Sequence, residues 1–178
     1  MSGPHGDAPI SGLARRQRCS DDARTMATAP MLPDFALPGT DGRTWTRQDL
    51  AGGTWVLYFY PKDNTPGCTA ESCDFRDAAP DLAKAGLKVL GISPDSIKSH
   101  QGFIAKQGLN FVLLSDQDHA LAEALGVWVE KSMYGRTYMG IDRSTFLVGP
   151  TGRIRRSWNK VKVPGHVAEV LAAAAAAE

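Results

Sequence analysis

The sequence predicts an α/β fold, a central mixed β-sheet flanked by helices and preceded by an N-terminal β-hairpin. Trp55–Tyr60 is a continuous apolar run that suits a strand buried on both faces, Leu87–Ile92 reads as a second buried strand, and Asn110–Leu114 reads as a third strand. Stretches with helical spacing separate them. Two further strand-like runs, Ser144–Val148 and Arg153–Trp158, are joined through Pro150-Thr-Gly152, the mark of an antiparallel pair, so the sheet is mixed.

In chain order, Phe35 to Thr46 carries a Gly39-Thr-Asp-Gly42 turn between short extended runs and reads as the hairpin. The Trp55 strand ends at Pro61. Cys68 to about Lys84 reads as one helix, with Phe75, Ala79, Leu82 and Ala83 at helical spacing and Gly86 as its stop. After the Leu87 strand, Ser96 opens a helix to Gln107 that Gly108 closes, and Ala120–Leu125 forms another short helix. A last helix begins at about Pro164. Nothing repeats at a fixed period, which sets solenoids and propellers aside.

The chain has 178 residues, 43% hydrophobic and 22% charged, enough for one domain with a sizeable core. With 20 Lys+Arg against 19 Asp+Glu the net charge is +1, so no bulk attraction to nucleic acid or an anionic membrane is expected. The longest apolar run, Val170–Ala177, has 8 residues and is far short of the ~20 that span a bilayer. Residues 1–29 have no apolar periodicity and no secretory h-region, and Asp7, Asp21 and Asp22 argue against a transit peptide. They are expected to be a disordered extension, with the folded domain at residues 30–178.

Cysteine chemistry is the informative part. Three cysteines are too few for a disulfide framework and suit a reducing, cytoplasmic setting. Cys68 and Cys73 lie in Tyr60-Pro-Lys-Asp-Asn-Thr-Pro-Gly-Cys-Thr-Ala-Glu-Ser-Cys73, which leaves a strand, turns and enters a helix. Thr65 is a good N-cap and Pro66 suits the first helical position. Cys68 then falls in the first turn, where free N–H groups and the helix dipole favour a thiolate. Read blandly, Cys68 would be a small buried hydrophobe, but its polar, turn-forming neighbours argue against apolar burial and for a reactive thiol. In an intact helix a separation of five residues corresponds to a rise of about 7.5 Å, with the side chains on different faces. A bond between the two cysteines would therefore require the first turn to unwind, since disulfides need Cα atoms within ~7 Å. Zinc is not expected, because the spacing is C-x4-C with no second ligand pair and His5, His100, His119 and His166 are scattered.

These residues resemble a known family. Pro61-x-x-x-Thr65-x-x-Cys68 is similar to the active-site motif of the peroxiredoxins. A second cysteine at Cys73 is similar to the Q-type, or bacterioferritin comigratory protein, subfamily. Lys131 to Leu147 resembles the segment that supplies the subfamily's active-site arginine, here Arg143. The similarity runs from about Pro33 to Leu171. It implies a thioredoxin-like fold and a peroxidase that reduces hydrogen peroxide and organic hydroperoxides through a sulfenic acid on Cys68. Resolution by Cys73 to a Cys68–Cys73 disulfide and recycling by thioredoxin or a similar dithiol reductant are implied as well, with no bound cofactor and a monomer or weak homodimer.

Under that resemblance Thr65, the Cys68 N–H and Arg143 would donate to the departing oxygen, and Pro61 would shield the sulfur. Glu71 either holds an arginine or is simply a favourable acidic residue in the first helical turn. Tyr60 either lines the site or packs. The four tryptophans, Trp45, Trp55, Trp128 and Trp158, read as core or edge residues. The rival reading is a redox-switched binding protein or holdase that uses the same cysteine pair. Gly91-Ile-Ser-Pro-Asp95 lacks the closing glycine of a nucleophile elbow. Gly135 to Gly140 lacks the Lys-Ser/Thr of a P-loop. The pair is not C-x-x-C, which argues against a general dithiol oxidoreductase.

Overall fold

The computed structural model describes Ala29 to Ala177; the rest of the expected N-terminal extension, including Cys19, lies outside the described residues. The hairpin is present as β1 (Ala36–Pro38) and β2 (Thr44–Thr46), antiparallel with Leu37 opposite Trp45. A single 3-10 turn, Arg47–Leu50, follows, its entry fixed by Asp49 accepting from the Thr46 N–H at 2.7 Å.

The central sheet has five strands: β3 (Thr54–Phe59), β4 (Leu87–Ser93), β5 (Val112–Ser115), β8 (Ser144–Val148) and β9 (Ile154–Trp158), in the order β5-β4-β3-β8-β9. β3 pairs parallel with β4, as does β4 with β5, while β8 runs antiparallel to both β3 and β9. The parallel pairs are joined by helical crossovers, and the antiparallel β8 and β9 by the tight Pro150–Gly152 connection. Between β3 and β4 lie α1 (Pro66–Asp77) and α2 (Ala79–Lys84), and between β4 and β5 lies α3 (Ile97–Gln107). The short α4 (Ala120–Ala124) precedes β6 (Trp128–Met133) and β7 (Arg136–Ile141), and α5 (His166–Ala176) ends the chain.

Strand alternation divides the core. Leu57 and Phe59 pack with Leu90, Ile92, Phe146 and Val148 on one side of the sheet. Val56 and Tyr58 pack with Phe75, Leu82, Phe103 and Val170 of the helices on the other. Tyr58 stacks on Phe75 with centroids 4.8 Å apart and shares a 2.8 Å hydrogen bond with Ser72 of α1. It lies against β4 where Gly91 sits opposite it; a Cβ on Gly91 would stand 2.8 Å from the Tyr58 hydroxyl and 2.6 Å from Leu113 Cδ2. That close approach seats α1 on the sheet.

The helix expected from Cys68 to Lys84 is two helices. Pro80 has no N–H to offer the Arg76 carbonyl four residues earlier, so the ladder breaks at Ala78. The Asn110 side-chain amide donates to the Arg76 oxygen at 3.3 Å instead. The antiparallel β6–β7 pair was not among the expected elements; it turns through Tyr134 and Gly135, both at positive φ (51° and 73°), as a two-residue hairpin turn requires. No helix among the described residues is long and apolar enough to cross a membrane.

Candidate active site

The turn from β3 into α1 places the Pro61–Cys73 segment at the C-terminal end of the central strand. Thr65 occupies the N-cap position with extended backbone (φ −84°, ψ 152°), its carbonyl accepts the first helical bond from Thr69 at 2.8 Å, and Pro66 is the first helical residue. The Thr65 side chain departs from the expected cap: its hydroxyl donates to the Lys62 carbonyl at 2.9 Å rather than accepting from a helical N–H. Asn64 at φ 60° makes that tight turn possible.

Cys68 is 1% exposed, packed among Val56, Tyr58, Tyr60 and Phe75. The expectation that its polar neighbours would keep it from apolar burial is therefore corrected. Lys62, Asn64 and Gly67 are exposed, but Asp63, Glu71 and Ser72 are buried along with the thiol, and the helix turns the sulfur inward onto the sheet, where a guanidinium reaches it. Arg143 Nη2 donates to Cys68 Sγ at 3.3 Å. Arg143 follows β7 and reaches across to α1, and Gly67 leaves the space for it: a Cβ there would stand 3.0 Å from Nη2. The other guanidinium nitrogen, Nη1, pairs with Glu71 Oε2. Of the two readings of Glu71, the structure therefore shows the one in which it holds an arginine.

The electrostatics of this cluster follow from burial. Glu71 is 1% exposed, and burial pushes its carboxyl up to about 7, with Arg143 restraining the rise. Its second oxygen, Oε1, is buried without a hydrogen-bond partner. Burial works against the charge on Arg143, but Glu71 and Cys68 outweigh it and hold the guanidinium more firmly protonated than a free arginine. The planar fork thus spans a carboxylate and a sulfur, a geometry that a lysine could not provide.

Cys73 is half-buried on the same helix, its Sγ 3.8 Å from Gln107 Oε1, and both cysteines are free thiols. One turn on, Arg76 binds the Gln107 carbonyl and fixes the end of α1 to the end of α3. α1 is intact from Pro66 to Asp77, so its two sulfurs lie on different faces. Pro61 is half-buried beside Tyr60, which is fully buried with its hydroxyl donating to Asp63 at 2.7 Å. Tyr60 is therefore a packed residue with a polar partner. Trp45 and Trp55 are core residues in edge-to-face contact, 5.5 Å between centroids, and Trp128 stacks on His119 at 3.7 Å.

Sequence reasoning missed Asp63 and Gly67. Asp63 is buried between the exposed Lys62 and Asn64, and apart from Tyr60 its partners come from α3 and from Asp95 beyond β4, too far along the chain for a local pattern to mark it.

Comparison with known proteins agrees with this geometry. The family model described as the AhpC/TSA family matches residues 29–157. Peroxiredoxin Bcp of Xanthomonas campestris is 53% identical over 141 residues, 78% of this chain and 88% of that protein. Peroxiredoxin Bcp of Bacillus subtilis is 49% identical over 147 residues, 83% and 94% of the two chains. Among solved structures, Xanthomonas campestris peroxiredoxin Q superposes with a TM-score of 0.77 at 48% identity, covering 88% of this chain and 95% of its own. Another structure of the bacterioferritin comigratory protein from that organism, from work on its alkyl peroxide reduction activity, superposes with the same score. The chain belongs to the AhpC/TSA family, and within it to the peroxiredoxin Q, or Bcp, group.

Proposed function

We propose that this chain is a thiol peroxidase that reduces hydrogen peroxide and organic hydroperoxides. The observation that carries the reading is the buried Cys68 sulfur with the Arg143 guanidinium 3.3 Å away and Glu71 behind it. The Cys68 thiolate attacks one oxygen of the hydroperoxide, forming the S–O bond of a sulfenic acid. The O–O bond breaks, and the departing alkoxide or hydroxide takes up a proton as alcohol or water. Arg143 and the Cys68 N–H at the start of α1 stabilise the charge that develops there. The Thr65 hydroxyl, already donating to Lys62, offers its lone pairs to the peroxide O–H. Pro61 covers the sulfur, Glu71 orients Arg143, and Tyr60 acts through Asp63.

The Cys73 thiolate then attacks the Cys68 sulfur, the S–O bond breaks and hydroxide leaves, giving the disulfide. α1 must unwind for this, because its helical geometry holds the sulfurs apart. A thioredoxin-like dithiol returns the pair to the reduced state. The unit that does this is residues 30–178, acting in the cytoplasm as a monomer or weak homodimer.

The test is stopped-flow tryptophan fluorescence of the reduced protein with hydrogen peroxide, with mass spectrometry of the product. Rapid oxidation ending in a Cys68–Cys73 bond is expected. Cys68→Ser should abolish turnover, while Cys73→Ser should keep one round of oxidation and lose recycling by thioredoxin. Oxidation no faster than that of an ordinary exposed thiol, or turnover retained in Cys68→Ser, overturns the reading.

A further inference from the structure

The turn that delivers Thr65 and Cys68 contains one deeply buried side chain, and it is an acid. Asp63 is 5% exposed, while Lys62 and Asn64 on either side face solvent. Its Oδ1 accepts from the Tyr60 hydroxyl at 2.7 Å, and its Oδ2 accepts from the Ser99 hydroxyl at 2.7 Å and lies 2.8 Å from His100 Nδ1. Its own N–H donates to Asp95 Oδ2 at 2.7 Å, and Asp95 also accepts from the Ser93 hydroxyl at 2.9 Å. His100 is completely buried on α3, and its Nε2 lies 3.1 Å from the Leu114 carbonyl of β5.

Burial alone would push the Asp63 carboxyl up, but hydrogen bonds from His100, Tyr60 and Ser99 outweigh it and hold the carboxyl below its usual range. Both ring nitrogens of His100 are engaged, Nδ1 at the Asp63 carboxylate and Nε2 at the Leu114 carbonyl. The ligand atoms of Asp63, Asp95 and His100 lie within 4.8 Å of one another. Each already has a protein donor or acceptor, so the cluster is closed by its own hydrogen bonds.

A polar network whose buried atoms all have partners specifies one geometry, since displacing any member strands the others. This one ties the Lys62–Thr65 turn to α3, to Asp95 and, through His100, to β5. Thr65 is two residues from Asp63, and its hydroxyl is fixed within the same turn. We propose that Asp63, paired with His100, is a positioning residue of the peroxide site, holding the turn so that the Thr65 hydroxyl meets a hydroperoxide approaching Cys68. The inference rests on the peroxidase reading above. It concerns how the oxidant is oriented, a property separate from how nucleophilic the sulfur is.

That separation gives the test. The reduced protein reacts at Cys68 with hydrogen peroxide, which needs orientation, and with iodoacetamide, which does not use Thr65. The two second-order rate constants are measured at one pH, with alkylation of Cys68 followed by mass spectrometry. Asp63→Asn, of the same shape, should lower the ratio of the peroxide to the iodoacetamide constant about 10- to 100-fold, the scale of a sub-ångström to 1 Å misplacement. Ser99→Ala, which removes a single hydrogen bond to the same carboxylate, should lower it by roughly 3-fold. If Asp63→Asn does not fold, Ser99→Ala decides the matter alone. A ratio unchanged from wild type, whatever happens to the individual constants or to stability, overturns the proposal. A wild-type peroxide constant no larger than that of a free thiol overturns the peroxidase reading instead.

Discussion

Glu71→Gln removes the one acidic side chain that the fold buries against Arg143, and the structure fixes both the sign and the size of the consequence. The side chain is 1% exposed, so solvent screening is small, and its carboxyl is pushed from 4.5 up to about 7. Between those values the folded protein retains a proton that the unfolded chain has released. The stabilisation tied to this group is therefore fully present below about pH 4.5 and is lost as pH rises through 7. At about 1.4 kcal/mol per pH unit the gap corresponds to about 3 kcal/mol. Gln at this position carries no such dependence, while keeping an oxygen to accept from Arg143.

The assay is urea unfolding of the reduced proteins at pH 5 and pH 8. The Gln variant should gain about 2–3 kcal/mol relative to wild type between the two pH values. Other titrating groups, among them His166, whose burial lowers its affinity for a proton, are shared by both proteins and cancel in the difference. Unfolding free energies that run parallel from pH 5 to pH 8 would refute the reasoning, because they would mean that Glu71 stays ionised within the fold.

Three other outcomes are expected. Arg143→Ala should slow oxidation by peroxide by about 10²–10³-fold in stopped flow, and Arg143→Lys should not restore it, since a single ammonium cannot bridge Glu71 and Cys68; an unchanged rate would remove Arg143 from the reaction. Gly91→Ala should cost about 1–3 kcal/mol in urea unfolding, because its methyl would lie 2.6 Å from Leu113 and 2.8 Å from Tyr58; wild-type stability would mean that the strand shifts freely. Phe75→Ala, which empties the contact between α1 and Tyr58, should cost roughly 3–5 kcal/mol by the same measurement, with a smaller loss showing that the helix settles into the gap.

The strands of the central sheet were legible because burial on both faces leaves an uninterrupted apolar run, and Trp55 to Tyr60 is one. Local backbone chemistry was legible as well: Pro66 marks the first turn of α1, and Gly108 closes α3 in the left-handed conformation. The β6–β7 hairpin was not. Met133, Tyr134, Tyr138 and Met139 are exposed large hydrophobics, so its strands show no clean alternation, and Tyr134 stands where Asn or Asp would have announced the turn. The break at Ala78 was signalled by Pro80 but masked by the apolar spacing that continues through Leu82.

By itself the sequence determined the five strands of the central sheet, the cysteine pair at the head of a helix, and the family these residues resemble. Such properties are written in short windows, where periodicity, caps and turn residues act on neighbours. Only the tertiary structure decided which way Cys68 faces, that Arg143 reaches it from 75 residues away while holding Glu71, and that Asp63 finds its partners on α3. Those contacts depend on which faces of separate elements are pressed together when the sheet is covered. That choice is made by packing and by the cost of leaving a buried charge unpaired, and no stretch of chain records it locally.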